Sequence, residues 1–181
     1  MSYPTWFYLP AVVLFAVFFL VPTAMAFYFS LTRWTLFDAT FIGLDNYELF
    51  LSDPQLKLAF RNTVIYALLT SGLKVIIALP LAILLTSVLK LKGFFRSVIY
   101  FPVLVSTVAV GITFSTLMQP STGLINKTLG ALGAGRIDWL GDPALALYSV
   151  VAVDVWKGIG LALVIFMAGI QSIPTDYFDA A

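Results

Sequence analysis

WFYLPAVVLFAVFFLVPTAMAFYFSL, residues 6–31, holds no charged side chain, and its apolar run is interrupted only by Pro10, Pro22, Thr23 and Ser30. A helix of about 20 apolar residues crosses about 30 Å of hydrocarbon, so this stretch is long enough to span a bilayer. Three more stretches pass the same test: residues 62–89, 97–118 and 145–170. The remainder agrees with them, since 61% of the 181 residues are hydrophobic, 10% are charged and the mean hydropathy is +1.00. A soluble domain carries about 25% charged residues; this chain lacks the polar surface to cover a globule in water. The expected fold class is all-α, a polytopic integral membrane protein with four transmembrane helices in one transmembrane domain, residues 1–181. Ala24-Met25-Ala26 has the small-x-small form of a signal cleavage site. However, no Lys or Arg precedes the run, it exceeds an ordinary signal core, and further spans follow.

The spans are punctuated by recognisable ends. Asp53 is placed to accept backbone N–H bonds as an N-cap, and Pro54 at the first helical position loses nothing by lacking its own N–H. A helix from there to Leu89 would be about 54 Å long at 1.5 Å per residue, so residues 54–61 are expected as an interfacial turn or a projecting section. Asp142-Pro143 repeats the start before the fourth span. Between spans three and four, residues 119–142 contain Pro120 and Gly123, Gly130, Gly133, Gly135 and Gly141, a turn-rich loop. Residues 124–132 within it are expected as a short amphipathic helix on the membrane surface. Pro80 and Pro102 are expected to kink their helices.

Charge sets the orientation. Lys90, Lys92 and Arg96 form a short loop with no acid, which marks the cytoplasmic side. The loop before it mixes Arg33, Lys57 and Arg61 with Asp38, Asp45, Glu48 and Asp53, and is expected outside, as is the loop after span three. Both termini are then cytoplasmic, in the cell (inner) membrane. Ten basic and nine acidic residues give a net charge of +1, which offers no field for nucleic-acid phosphates. With neither Cys nor His in the chain, thiolate and imidazole metal sites and a Ser-His-Asp triad are excluded.

Ionisable groups within spans are costly, at least about 2.5 kcal/mol each near the bilayer centre. Lys74 falls in span two, and Asp154 and Lys157 fall in span four. Asp154 and Lys157 are three residues apart and share a helix face; spans two and four run in the same direction, which places Lys74 at a similar depth. Two lysines therefore compete for one carboxylate, either lining a hydrophilic pathway or forming a structural pair with a snorkelling lysine. In span three, Ser106, Ala109, Thr113 and Thr116 form a small, hydroxylated stripe. It is suited to hydrogen-bonding a polyhydroxy solute, or to satisfying its own backbone carbonyls and packing closely. Trp6, Trp34 and Trp139 lie near expected interfaces, where aromatic rings anchor spans.

Four ordered segments carry a resemblance. Tyr28-Phe29-Ser30-Leu31 precedes Phe41-Ile42-Gly43-Leu44-Asp45-Asn46-Tyr47; Asn62-Thr63 is followed by Lys92-Gly93-Phe94-Phe95-Arg96 and Tyr100-Phe101-Pro102; then comes Gly123-Leu124-Ile125-Asn126. Last is Val155-Trp156-Lys157 through Ala168-Gly169-Ile170-Gln171-Ser172-Ile173-Pro174 to Tyr177-Phe178-Asp179-Ala180-Ala181. Together they resemble the permease subunits of binding-protein-dependent ABC importers of the carbohydrate and glycerol-phosphate (maltose) type. The resemblance implies a transport subunit rather than an enzyme, moving sugars or a related small polar solute by alternating access. It also implies a second permease subunit, a cytoplasmic ATP-binding subunit and an extracytoplasmic solute-binding protein as partners. Tyr177, Phe178, Asp179, Ala180 and Ala181 match the start of the family's EAA loop, which docks on the ATPase; Asp179 stands where Glu is usual.

The chain stops at Ala181, before that motif's Asp-Gly-Ala continuation and two further spans, so it resembles the front two-thirds of a permease truncated at the EAA loop. Lys74, Ser106, Thr113, Asp154 and Lys157 are the candidate translocation path. No G-x-x-x-x-G-K-[ST] loop is present, and no cofactor is expected in this chain. A rival reading is an ion-coupled secondary transporter or channel using Lys74, Asp154 and Lys157. The tail from Ser172 to Ala181 argues against it, having no place in such a carrier.

Overall fold

Residues 4–35, 37–87 and 90–174 are described by the computed structural model. The EAA-like residues, Tyr177 to Ala181, lie outside them. Helix dominates, and the chain divides into two units, residues 1–61 and 62–181.

The first unit begins with a helix over Trp6–Ser30, here α1. It opens as a 3-10 turn and passes through one π turn at Ala16–Leu20. The cause is Pro22, which has no N–H to donate one turn back. The Val21 N–H reaches five residues back to the Ala16 carbonyl instead, the form helices adopt around such an interruption. The Thr23 hydroxyl donates to the Phe19 carbonyl at 2.6 Å, satisfying an acceptor that hydrocarbon would leave bare.

A short antiparallel hairpin follows, β1 (Thr32–Trp34) and β2 (Ala39–Phe41), with Thr32 opposite Phe41. Gly43, at φ +61°, turns the chain into helix α2 (Asp45–Ser52), a conformation in which a Cβ would be strained. Asn46 then reaches back: its Nδ2 donates to the Ser30 and Thr32 carbonyls at 2.9 and 3.0 Å. The Tyr47 hydroxyl donates to Ser30 Oγ at 2.8 Å. The Gly-Leu-Asp-Asn-Tyr segment thus ties off the end of α1.

Helix α3 runs Pro54–Thr86, 33 residues and about 50 Å. Asp53 caps it as expected, its Oδ1 accepting from the Gln55 and Leu56 N–H groups at 2.7 and 3.3 Å. Residues 54–61 are helical and continuous with the span rather than a turn, and the helix also runs on through Pro80.

In the second unit the expected single span 97–118 is two helices, α4 (Lys92–Leu104) and α5 (Thr107–Leu117), bent by 94°. The corner is at Val105 and Ser106, both extended (ψ 136° and 134°), not at Pro102. Pro102 weakens the last turn of α4 by removing one bond. Ser106, of a type that favours the extended N-cap position, then opens α5, its carbonyl accepting from Val110 N–H at 3.0 Å.

Helix α6 (Leu124–Ala131) is the expected short helix. Gly123 before it leaves no room for a side chain, since a Cβ would run into the Leu117 and Gln119 carbonyl oxygens. Buried Asn126 clamps the loop: its Nδ2 donates to the Ile137 carbonyl at 2.8 Å and its Oδ1 accepts the Ile137 N–H at 3.2 Å. Helix α7 covers Ala146–Gln171.

Among the described residues, three helices are long and apolar enough to cross a membrane, up to four if the bent pair counts as one. The buried core is small: Ala78, Ala82 and Leu85 of α3 meet Leu163 and Met167 of α7. Spacings of three and four put each set on one helix face. Many remaining large apolar side chains point outward, including Ile76, Ile83 and Ile165, as suits contact with lipid or other helices.

Candidate functional site

Lys74 lies four residues before Ala78 on the buried stripe of α3, at the end of the α3–α7 seam. Its Nζ contacts Asp154 Oδ2 at 2.6 Å, the only ion pair among the described residues. The two side chains are 24% and 32% exposed, so the pair is partly wet, which lowers both its desolvation cost and its strength. The competition between the two lysines is decided for Lys74.

Gly158, one turn beyond Asp154, accommodates the lysine in this position. A Cβ there would lie 2.6 Å from Lys74 Cε and 2.8 Å from its Nζ. The lysine stem therefore rests on the bare backbone of α7 while its ammonium turns to the carboxylate.

Asp154 also borders a cavity of about 260 Å³ between α3, α5 and α7, which Lys157, Tyr66, Ser149, Thr107 and Ser115 help to line. Tyr66 comes close enough to Asp154 for its phenol to interact with the carboxylate. The Phe114 ring forms part of the wall and packs on Trp156 at 5.2 Å. Val110, Met118, Leu140, Val150 and Val153 make most of the wall apolar, so the hydroxyls, one carboxylate and one ammonium are a few polar points on an apolar surface, the usual make-up of a small-molecule site.

Of the expected path residues, Asp154 and Lys157 line this cavity and Lys74 joins it through the ion pair. Ser106 and Thr113 are exposed and lie on other faces of the bend. Thr116, from the same stripe, donates its hydroxyl to the Ile112 carbonyl at 2.9 Å, the backbone-satisfying alternative. The face of α5 that lines the cavity carries Thr107, Val110, Gly111, Phe114 and Ser115, and reasoning from the sequence missed it. Spacings of three and four run through both stripes, so period alone does not choose between them.

Fold and site together define a multi-pass helical membrane protein with a mainly apolar cavity among its helices that carries one carboxylate and one ammonium. Over 98% of its length the chain is 35% identical to the probable ABC transporter permease protein YurN of Bacillus subtilis, covering 63% of that protein. It is 33% identical to the trehalose/maltose transport system permease protein MalF of Thermococcus litoralis, over 96% of this chain and 59% of that one. The same identity holds for the sn-glycerol-3-phosphate transport system permease protein UgpA of Agrobacterium fabrum, over 95% and 59%. No family model matches. A bacterial ABC transporter involved in alginate import shares the fold at a TM-score of 0.80, with 22% identity over 95% of this chain and 58% of that one. The chain is therefore a relative of ABC transporter permease proteins, as the ordered motifs implied. It spans 52% to 63% of the length of the curated relatives it matches.

Proposed function

We propose that this chain is part of the membrane-spanning permease of an ATP-driven importer for sugars or a related small polar solute. The observation that carries the proposal is similarity along nearly the whole chain to permeases named for trehalose/maltose, arabinooligosaccharide and glycerol-3-phosphate transport. Its working parts are a second permease subunit, a cytoplasmic ATP-binding subunit and an extracytoplasmic solute-binding protein. One solved neighbour is an alginate ABC transporter in complex with an alginate-bound periplasmic protein, which supports that set. Its role is transport, with ATP hydrolysis in a separate subunit and no cofactor of its own. Nothing in the comparisons favours the ion-coupled alternative.

In this reading the bent pair α4–α5 is one crossing, giving four, and the termini are cytoplasmic because Lys90, Lys92 and Arg96 hold their loop inside. The cavity beside Asp154 and Lys157 belongs to the solute path. The tail at Tyr177 to Ala181 begins the surface that meets the ATPase.

The test is to express the chain with its neighbouring transport genes, purify the complex through an affinity tag on this chain, and assay sugar-stimulated ATP hydrolysis in liposomes. Co-purification of an ATPase and stimulation by a sugar-loaded binding protein are expected. A chain that brings down no ATPase, and whose deletion leaves uptake of every sugar and polyol tested unchanged, would overturn the proposal.

A further inference from the structure

We propose that Asp154 has two interchangeable lysine partners, Lys74 across the seam and Lys157 on its own helix, and that Gly158 is the seat that assigns it to Lys74 in the conformation described. The geometry supplies each part. Lys74 makes the 2.6 Å contact, while Lys157 sits three positions along α7 and borders the same cavity as Asp154. Residues three apart on a helix lie within reach of one another, so rotation of the Lys157 side chain alone brings its ammonium to the carboxylate. The lysine stem from α3 occupies the space a Cβ at position 158 would fill. Glycine there lets the lysine end lie against α7; a Cβ makes that flexible end shift, which weakens its hold on Asp154 and favours Lys157 as the partner.

Such an arrangement solves a problem particular to moving helices. A single half-buried ion pair between α3 and α7 would resist their separation, because breaking it leaves the carboxylate without its partner. With a second lysine on the same helix as the acid, α3 can leave without stranding the acid. The pair then joins the helices without locking them. This use of the pair rests on the alternating-access reading above. The exchange of partners is a property of the chain itself and is tested without transport.

The experiment is a stability cycle on the whole chain in mixed micelles, unfolded with SDS, using Lys74→Met, Lys157→Met, Gly158→Ala and their combinations. Lys74→Met and Lys157→Met are each expected to change the folded-to-unfolded ratio by less than about threefold, because the other lysine serves. The double variant should lose about tenfold more than the product of the singles, within the range of coupling between residues that share a partner. Gly158→Ala should be mild alone and match Lys74→Met when combined with Lys157→Met.

Asp154→Asn in the double-lysine background should restore most of the loss. It also keeps the test decisive if that background folds poorly. Independent losses for the two lysines would overturn the second partner, and failure of Asp154→Asn to rescue would overturn a shared carboxylate. A Gly158→Ala effect that simply multiplies with that of Lys157→Met would overturn the seat. Any of these leaves the importer reading standing, and failure of the importer reading leaves the cycle unchanged.

Discussion

Gly160 on α7 faces backbone rather than a flexible side chain, so a methyl group there has nowhere to go. A Cβ would sit 2.6 Å from the Ile99 carbonyl oxygen and 2.7 Å from Tyr100 Cα, with Val103 Cγ2 at 3.1 Å. Ordinary contact requires about 3.4 Å, so α4 and α7 must part by about 0.8 Å, and overpacking of that kind costs about 1–3 kcal/mol. Replacing a helical glycine by alanine returns about 0.5–1 kcal/mol, which leaves a net destabilisation of about 0–2.5 kcal/mol for Gly160→Ala.

Gly169 on the same helix supplies the control, since a Cβ there meets nothing within 4 Å. Gly169→Ala should be neutral or slightly stabilising. The difference between the two variants removes the helix-propensity contribution and isolates the contact between α4 and α7. SDS unfolding in mixed micelles, followed by far-UV circular dichroism, measures both. Equal stability of Gly160→Ala and Gly169→Ala would refute the close crossing at Tyr100.

Three further outcomes are expected. In this chain without native cysteine, Asp45→Cys and Ser121→Cys should react with an impermeant thiol reagent added to intact cells, and Lys92→Cys should react only after the cells are opened; labelling at position 92 from outside would reverse the orientation. Asn126→Leu strips the Ile137 N–H and carbonyl of their partners, at about 1–3 kcal/mol, and should open residues 119–142 to limited proteolysis; an unchanged cleavage pattern would deny the clamp. Asn46→Ala frees the Ser30 and Thr32 carbonyls and should speed amide exchange at Ile42, whose N–H bonds to the Leu31 carbonyl at 2.9 Å; unaltered protection would mean that the hairpin holds without the asparagine.

The spans were legible because hydrocarbon imposes a simple length rule, and the Asp53-Pro54 start was legible because capping is local chemistry. Competition for Asp154 was legible too, since three residues on a helix fix a shared face. The choice of Lys74 was not, because it rests on how α3 packs against α7, with the Lys74 end lying against Gly158, 84 positions later in the chain. The bend at Val105 and Ser106 escaped for a related reason: both residues are apolar or small enough to pass as ordinary helix, and Pro102 drew attention to the wrong position. The hairpin Thr32–Trp34 and Ala39–Phe41 was also unannounced, with strands of three residues too short to display an alternating pattern. Gly43, Asn46 and Asn126 were noticed only as fragments of a resemblance, and Gly123 besides only as one turn residue among several, yet their reasons are local: a left-handed turn, two carbonyls to satisfy, a loop to hold and a crowded backbone.

The 94° corner between Lys92–Leu104 and Thr107–Leu117 bears on how the protein is made. Arms of 13 and 11 residues measure about 20 and 16 Å, and at that bend their ends are about 25 Å apart, against about 30 Å of hydrocarbon. Neither arm crosses alone, and the two arms so bent fall short of that thickness together, with extended backbone at the corner that acyl chains cannot solvate. Lipid gives no reason to hold such a shape; α7 does, by receiving Tyr100 against Gly160. Yet α7 is synthesised after it. The bent form of residues 92–117 therefore gains its packing partner only once α7 has been made.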